Sequence, residues 1–439
     1  VPDPAPADAR RTLSDLILVT GARVGLLGVW LAATTLLARV AGPAVFGLYG
    51  LCANAIRLVT GIAGDPLDAA VMRSAPLHVR SDRPRALAVI RSAFYLRGGV
   101  GTAAMAVTAA VPWAASWAVF GNVGHARLAV LAATGILGDM LLRSALGYFQ
   151  VAGTFGRFLA VDVAWQLGRS VAVGAVVALH AVTAERAVAI YVGAPYLAFA
   201  VALLLLPRDL TRPARPARAD LSAVLHAAKW VAAATALGAL YERLDLLLLA
   251  RYRSEAEVGL YAGALFLAAI PDFLDGGVQT VLAPRVAPAF AAGRFGELNR
   301  SYLRWAVPLG LAVAALAEGL GGWGIRTVLS ARYADAVGVF RLLVLGTLFN
   351  LVVTPLPSAL LNYVAPRASA AVTAVGLAIV AIGGVLVIPR HGAVGAAAII
   401  LAARVVVGTA VFALAARAGG GPGSRSDGVP LQSAAVRAS

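Results

Sequence analysis

About twelve apolar stretches, each long enough to cross a hydrocarbon layer of ~30 Å, follow one another through this chain and restrict its fold more than any other feature. They lie near 15–38, 44–65, 88–111, 127–147, 157–180, 186–206, 226–250, 258–283, 302–325, 337–362, 367–388 and 392–416. Inside lipid every backbone N–H and C=O must find its partner within the protein, so stretches of this kind form helices. The composition agrees. Hydrophobic residues make up 60% of the chain and charged ones only 13%, with a mean hydropathy of +0.83, which is more apolar surface than a soluble globule hides. The expected fold class is all-α, a polytopic membrane protein of about twelve transmembrane helices. The first stretch is too long for a signal-peptide core and is followed by many more, so it reads as an uncleaved first helix.

The formal net charge of +16 invites a nucleic-acid reading, but the distribution of the charge argues against one. With a cytoplasmic N-terminus, the inner segments carry Arg10, Arg11, Arg73, Arg80, Arg83, Arg85 and the arginines of 207–220, among others, while the outer ones carry Arg39, Arg127, Arg186, Arg251, Arg253, Arg326, Arg332 and Arg390. The ratio is roughly 21 to 8 and follows the positive-inside rule, so both termini are expected in the cytoplasm and no nucleic acid as a partner. Cys52 is the single cysteine, which excludes a disulfide framework, and no Cys/His cluster has zinc spacing. Neither a metal nor a cofactor is expected.

The segment PRDLTRPARPARAD at 207–220 divides the chain. Its prolines stop helix continuation and its arginines hold it on the cytoplasmic side. The expected organisation is a disordered N-terminus (1–14), a six-helix N-lobe (15–206), a basic linker (207–225), a six-helix C-lobe (226–416) and a disordered tail (417–439). Two six-helix lobes joined this way suggest a transporter with a pseudo-two-fold axis along the membrane normal. The largest outer loop, near 112–126, is itself apolar, which leaves no room for a soluble catalytic domain.

Polar residues recur at helical spacing inside four of the spans. Thr20, Arg23, Trp30 and Thr34 share a face of the first, and Asn54, Arg57, Gly61, Asp65 and Asp68 a face of the second. Thr235, Gly238, Glu242 and Asp245 do so in the seventh, with Tyr241 and Arg243 beside them, and Ala268, Asp272, Asp275 and Gln279 in the eighth. A charge inside a membrane helix costs roughly 2.5–3.5 kcal/mol on insertion scales, so such residues face one another or a wet cavity. Each also has a plainer reading. Arg23, Arg57, Arg243, Arg341 and Arg404 fit structural ion pairs or snorkelling side chains. Asp65 and Asp68 fit a solvated helix end, and Arg91, Arg97, Asp139, Asp162 and Arg169 fit structural pairs or interface anchors. No histidine is given a chemical role. Taken together, the stripes define one central cationic cavity with Arg23, Arg57, Arg243, Asn54 and Tyr241 as its substrate-binding set. Asp245, Asp272 and Asp275 are the candidates for ion coupling, because Pro271 and Gly276-Gly277 are expected to interrupt the eighth helix beside the last two. Arginine in a dry cavity suits bidentate recognition of phosphate oxygens.

Four segments carry a family resemblance. Ala41-Gly42-Pro43 with Phe46-Gly47-Leu48-Tyr49 resembles the GP-x-x-FG-x-Y opening of the second helix in polysaccharide flippases of the MOP superfamily. Asp245 followed by Val258-Gly259-x-Tyr261 resembles the same family's seventh-to-eighth-helix signature. Tyr333-x-x-Ala336 and Ile388-Pro389-Arg390-His391-Gly392-Ala393-Val394-Gly395-Ala396-Ala397 resemble its segments before the tenth and last helices. In the last segment Gly392 permits a tight turn and Gly395 close helix approach.

The resemblance implies a MOP/MATE-like two-lobe fold and no enzymatic activity. It implies a flippase that moves a polyprenyl-diphosphate-linked oligosaccharide across the bacterial cytoplasmic membrane by alternating access, for lipopolysaccharide, capsule or exopolysaccharide synthesis. Its partners are then that lipid-linked oligosaccharide and the bilayer, with polysaccharide polymerase and glycosyltransferases as candidate partners. About twelve helices, without the two additional ones of the lipid II flippase, argue against that relative. Two alternatives of other kinds stay open: a MATE-type cation/drug antiporter, which an arginine-rich cavity suits poorly, and a membrane-embedded polymerase or glycosyltransferase, which short outer loops disfavour. A non-transporting scaffold is the third.

Overall fold

The computed structural model describes the backbone of residues 6–71, 83–211 and 218–419; the side chains of 6–24 and 271–277, and of further positions around 83–86, 208–234 and 279–284, fall outside the described residues. Among the described residues the secondary structure is helical throughout. In chain order the helices are α1 (Pro6–Ala63), α2 (Arg83–Ala110), α3 (Pro112–Phe120), α4 (Ala126–Val151), α5 (Phe155–Ala178), α6 (Ala184–Leu205), α7 (Arg218–Tyr252), α8 (Glu255–Ala291), α9 (Phe295–Val328), α10 (Ala336–Val353), α11 (Pro355–Val364) and α12 (Pro366–Gly419). A single turn, Arg208–Thr211, sits between α6 and α7.

Two of these helices are too long for one crossing. α1 has 58 residues, ~87 Å if it were straight at 1.5 Å per residue. It bends instead at Gly42, whose φ of 75° and ψ of 172° leave the helical region just before Pro43. α12, with 54 residues, bends at Gly392 (φ 55°, ψ −138°). Only glycine takes such φ values without a steric penalty, so both bends are written in the sequence. The two arms each of α1 and α12, with α2 and α4 through α10, correspond to the twelve apolar stretches of the sequence; among the described residues seven helices, or eight with the bent α2–α3 pair, are long and apolar enough to cross a membrane, and the chain is a multi-pass membrane protein. The lipid-facing surface is evident on α9, where Trp305, Leu311, Leu316 and Trp323 are all exposed. In a membrane such surface needs no polar cover.

Four expectations need revision. α1 is helical from Pro6, inside the 1–14 stretch expected to be disordered. The span expected at 337–362 breaks at Thr354, because Pro355 and Pro357 start a new helix rather than continue the old one. The outer loop near 112–126 contains α3, which turns by 101° from α2 and exposes Trp113 and Trp117, as amphipathic aromatics do at a membrane interface. Finally, Pro271 and Gly276-Gly277 do not interrupt α8, which is helical from Glu255 to Ala291. A proline in a membrane helix loses one backbone hydrogen bond, which neighbouring helices and local adjustment can absorb.

α1–α6 form the N-lobe and α7–α12 the C-lobe. Packing divides the bundle lengthwise. The largest core mixes both lobes: Phe46, Leu51 and Ile136 of the N-lobe with Leu249, Tyr261, Tyr333 and Ile400 of the C-lobe. Toward the other end the buried clusters belong to one lobe each. Leu67, Val71 and Ile90, and separately Phe149, Phe158 and Ala202, serve the N-lobe. Val286, Phe295, Tyr302 and Leu360 serve the C-lobe. The lobes therefore share one core at one end, here called the closed end, and have separate cores toward the other; α1 and α7 still meet where a Cβ on Gly61 would sit 3.4 Å from that of Ala239, and the space between the lobes beside this contact is here called the cleft.

Candidate functional site

The closed end is built by the four family-like segments, which are spread from Ala41 to Ala397 in sequence. After the bend at Gly42, the Pro43 carbonyl lies against α8 so closely that a Cβ added to Gly259 would sit 1.7 Å from its oxygen. One turn on, a Cβ on Gly47 would sit 2.4 Å from the Glu255 carbonyl oxygen, and one on Gly50 3.0 Å from the Ala262 Cβ. Small residues at helical spacing let two membrane helices meet backbone to backbone. Phe46 meets Tyr333 edge-on, and the Tyr333 hydroxyl donates to the Ala38 carbonyl at 3.1 Å. In the last segment, the Ala393 N–H donates to Glu257 Oε1 at 2.8 Å, next to the bend at Gly392. Arg253 pairs with Glu257 at 3.5 Å.

Polar contacts complete this seal. Ser254 caps α8, accepting from the Glu257 N–H, and Glu255 and Glu257 stand in its first turn, where the helix dipole favours acids. Glu255 then reaches across the lobes to His125, with Oε1 2.5 Å from Nε2. Arg251 donates to the Gly121 carbonyl at 3.1 Å and stacks 4.0 Å over Trp117 of α3. A cavity of about 560 Å³ remains here, lined from both lobes by Leu51, Phe120, Arg251 and Glu255 among others.

Deeper in the bundle lies the charged cleft. Arg57 sits about 22 Å along α1 from Gly42, and Arg243 about 14 Å along α7 from Tyr252, at 1.5 Å per residue. Both are thus within the hydrocarbon layer. Arg57 is exposed there, with the Tyr191 hydroxyl acting on its charge. The side chain of Arg243 is 26% exposed and that of its neighbour Glu242 66%, with 4.0 Å between their charged atoms. Exposure at this depth means a water-filled space. Arg57 and Arg243 come from opposite lobes, and the charge of Arg57 acts on Arg243. The Asn54 amide donates to the Arg243 carbonyl at 3.1 Å, tying α1 to α7 just beside them.

Further along the N-lobe wall, Arg143 pairs with Asp139 at 2.7 Å and Asp65 at 3.3 Å. Arg97 is buried; it pairs with Asp68 and donates to the Gly64 carbonyl and the Ser144 hydroxyl, both at 3.2 Å. These pairs stay within one lobe and satisfy the backbone where α1 ends.

Residues 36–338 match the family described as "Polysaccharide biosynthesis protein", a stretch that covers well over half of the chain. The chain belongs to that family. No curated protein matches the sequence. Among solved structures, a multidrug resistance MATE family transporter of the MOP superfamily in an inward-facing conformation is 14% identical, with TM-score 0.73, over 89% of this chain and 94% of that one. The lipid II flippase MurJ in an inward closed conformation is 10% identical, with TM-score 0.74, over 91% and 87%. A MOP superfamily transporter from Pyrococcus furiosus is 15% identical, with TM-score 0.61, over 93% and 95%. At these identities the likeness is one of fold: this polysaccharide biosynthesis protein has the two-lobe fold of the MOP superfamily.

In this family member the expected site residues separate. Arg57 and Arg243 face the cleft together. Asn54 does not face it; it is buried and spent on the bond between lobes. Tyr241 turns its ring against α12, where a Cβ on Gly376 would come within 3.0 Å, and its hydroxyl is buried. Both corrections have one cause: helical spacing places a residue on a stripe about a third of the helix circumference wide, and neighbouring helices cover its edges. Asp245 is buried and accepts a hydrogen bond from Tyr261, which explains the pairing of these residues in the signature. The side chains of Arg23, Asp272 and Asp275 lie outside the described residues. Sequence reading missed His125, Glu255 and Glu257 as parts of the seal. The signal for the two glutamates was present, since acids following a Ser at a helix start belong to that start. Nothing local in the sequence pairs His125 with Glu255.

Replacing Tyr261 by Phe removes the side-chain donor from the buried Asp245 carboxylate. The expected loss is about 1–3 kcal/mol, the cost of an unsatisfied buried polar group. Thermal unfolding of the purified variant in detergent measures it.

Proposed function

We propose that this protein is a flippase that carries a polyprenyl-diphosphate-linked oligosaccharide across the bacterial cytoplasmic membrane by alternating access. One observation carries the reading. Arg57 and Arg243, from opposite lobes, face a wet cleft within the hydrocarbon layer, and the charge of Arg57 acts on Arg243. Two guanidinium groups so placed repel each other until an anion with several acceptor oxygens bridges them, and a diphosphate is such an anion. A ligand bound by both lobes couples its own position to the rocking of one lobe against the other. The family membership supports the substrate class, and the solved structure of a lipid II flippase with this fold supports the type of movement.

The Arg distribution puts the closed end outside and both termini in the cytoplasm, so the cleft opens inward. No enzymatic step is needed for this task. The cation antiporter reading is weaker, because among the described residues at the cleft Arg57 and Arg243 outweigh Glu242.

The test is transport of a fluorescent polyprenyl-diphosphate sugar in proteoliposomes, with a polyprenyl monophosphate and an organic cation as controls. Selective movement of the diphosphate is expected; movement of the cation alone overturns the reading. Topology is checked separately in a Cys52→Ala background. Arg212→Cys is expected to resist an impermeant maleimide added to intact cells, and Ala256→Cys at the closed end to react. The reverse pattern would invert the orientation.

A further inference from the structure

At the end of the C-lobe away from the seal, α9 enters the bilayer with a face that is charged first and apolar deeper in. Arg300 and Arg304 lie one turn apart, and Val307 and Leu311 continue that face at helical spacing; all four are exposed. Arg300 precedes the apolar stretch near 302–325 by two residues, which puts its guanidinium at the level of lipid headgroups. Beside it the surface is hollow. A cavity of about 260 Å³ opens between the start of α9 and the end of α12. Its apolar walls are Phe295, Pro357, Phe412, Ala415 and Ala416, and its polar side chains are Arg300 and Asn299. Phe295 and Ala415 belong to the C-lobe's own buried cluster, so the hollow is built into the frame of that lobe. Both polar groups keep unused capacity. Arg300 donates from Nε to the Gly296 carbonyl of its own helix at 3.2 Å, and among the described residues it has no acid at ion-pair distance. The Asn299 Oδ1 is buried and has no hydrogen-bond partner among the described residues. Glu297 is the one acid between Gly293 and Trp305, against Arg294, Arg300 and Arg304, and α12 adds Arg417 one residue after the cavity wall.

We propose that this groove between α9 and α12 binds an anionic phospholipid, with its phosphate on Arg300 and its acyl chains along Phe412, Val307 and Leu311. The charge fits, because a guanidinium fork without an acid takes a phosphate in two parallel hydrogen bonds. The shape fits as well: basic pockets between membrane helices hold acidic headgroups, while apolar walls below them take the chains. A headgroup that carries hydroxyls, as phosphatidylglycerol does, also brings donors toward the unpaired Asn299 oxygen. The occupant is a lipid of the bulk membrane and not the transported one, because every residue lining the groove belongs to the C-lobe and the groove therefore lies apart from the cleft. With the closed end outside, this is the cytoplasmic leaflet, where acidic lipids add to the attraction. The bound lipid joins α9 to α12 where Phe295 and Ala415 alone meet below the hollow. This inference goes beyond the flippase reading and does not rest on it.

The test is thermal unfolding of the full chain in detergent with added phosphatidylglycerol or phosphatidylcholine of the same acyl chains. Phosphatidylglycerol is expected to raise the melting temperature by about 3 °C and phosphatidylcholine by less than about 1 °C. Arg300→Gln is expected to remove most of that rise and, without lipid, to melt within about 1 °C of the wild type, since the side chain is exposed. Ala416→Trp fills the groove, keeps every charge and is expected to remove the rise too. Arg157→Gln, at an exposed arginine where α5 starts in the N-lobe, is expected to keep it. Native mass spectrometry of the same samples is expected to find one phosphatidylglycerol retained by the wild type and none by Arg300→Gln. Equal stabilisation by the two lipids overturns the proposal, as does a rise that survives Arg300→Gln or Ala416→Trp. An equal loss in Arg157→Gln would mark a general effect of charge and overturns it as well. Displacement of the retained lipid by a polyprenyl diphosphate would make the groove a docking place for the transported lipid and end the bulk-lipid assignment. Since no transport is read, each of these failures leaves the flippase reading standing.

Discussion

Gly259→Ala is expected to open the closed end of the bundle. The added methyl carbon would lie 1.7 Å from the Pro43 carbonyl oxygen, roughly half a van der Waals contact distance. Backbone on both sides leaves nothing flexible to move aside, so α1 and α8 must separate. The Gly47 and Gly50 contacts lie on the same crossing and open with it. The consequence is a protein that still inserts and folds each lobe, because their separate clusters at the other end are untouched. Its seal no longer forms. Ala262→Cys in a Cys52→Ala background reports this directly, since Ala262 is buried at the crossing. With Gly259 present the cysteine is expected to be protected from maleimide, and with Gly259→Ala to react at least tenfold faster, with transport reduced by a similar factor. Unchanged protection would show that the lobes repack around a methyl group, and that the seal depends on other contacts.

The second large effect concerns the cleft. Arg57→Ala and Arg243→Ala are each expected to reduce transport of the diphosphate-linked sugar by about 10- to 100-fold, the worth of a hydrogen bond to a charged group at ~1.5–3 kcal/mol. Neither substitution is expected to cost much stability, because among the described residues neither arginine is ion-paired with a buried acid; the acid beside Arg243 is the exposed Glu242. Arg57→Lys and Arg243→Lys keep the charge and lose the planar fork, so an intermediate loss is expected. Transport at the wild-type rate in both alanine variants would remove the diphosphate clamp. A loss of stability matching the loss of transport would instead make the two arginines structural.

Much of the architecture was legible in the sequence, because lipid imposes rules that need no tertiary knowledge. An apolar stretch of about twenty residues must be helical and must span. A proline- and arginine-rich segment such as 207–220 must stay out of the membrane and divides the lobes. Gly392 marked a turn, and the structure adds a second bend at Gly42 with a backbone angle that favours glycine in the same way. The family-like segments could be read as a set, but not what they do: Pro43, Glu255, Gly259, Tyr333 and Ala393 meet only when helices far apart in the chain pack end against end.

The same limit applied to the charges. Spacing placed Asn54, Arg57, Tyr241, Arg243 and Asp245 on or beside polar stripes, and each is indeed away from lipid. Whether such a residue faces water, a backbone carbonyl or another side chain depends on which helix lies across from it. Asn54 found the Arg243 carbonyl, Asp245 found Tyr261, and Tyr241 found α12, while Arg57 and Arg243 were left facing the cleft. The sequence by itself determined that these groups avoid lipid, because transfer cost is a property of each side chain. Only the tertiary structure decided which of them are spent on the fold and which are free to bind, because pairing is a property of two positions brought together by packing.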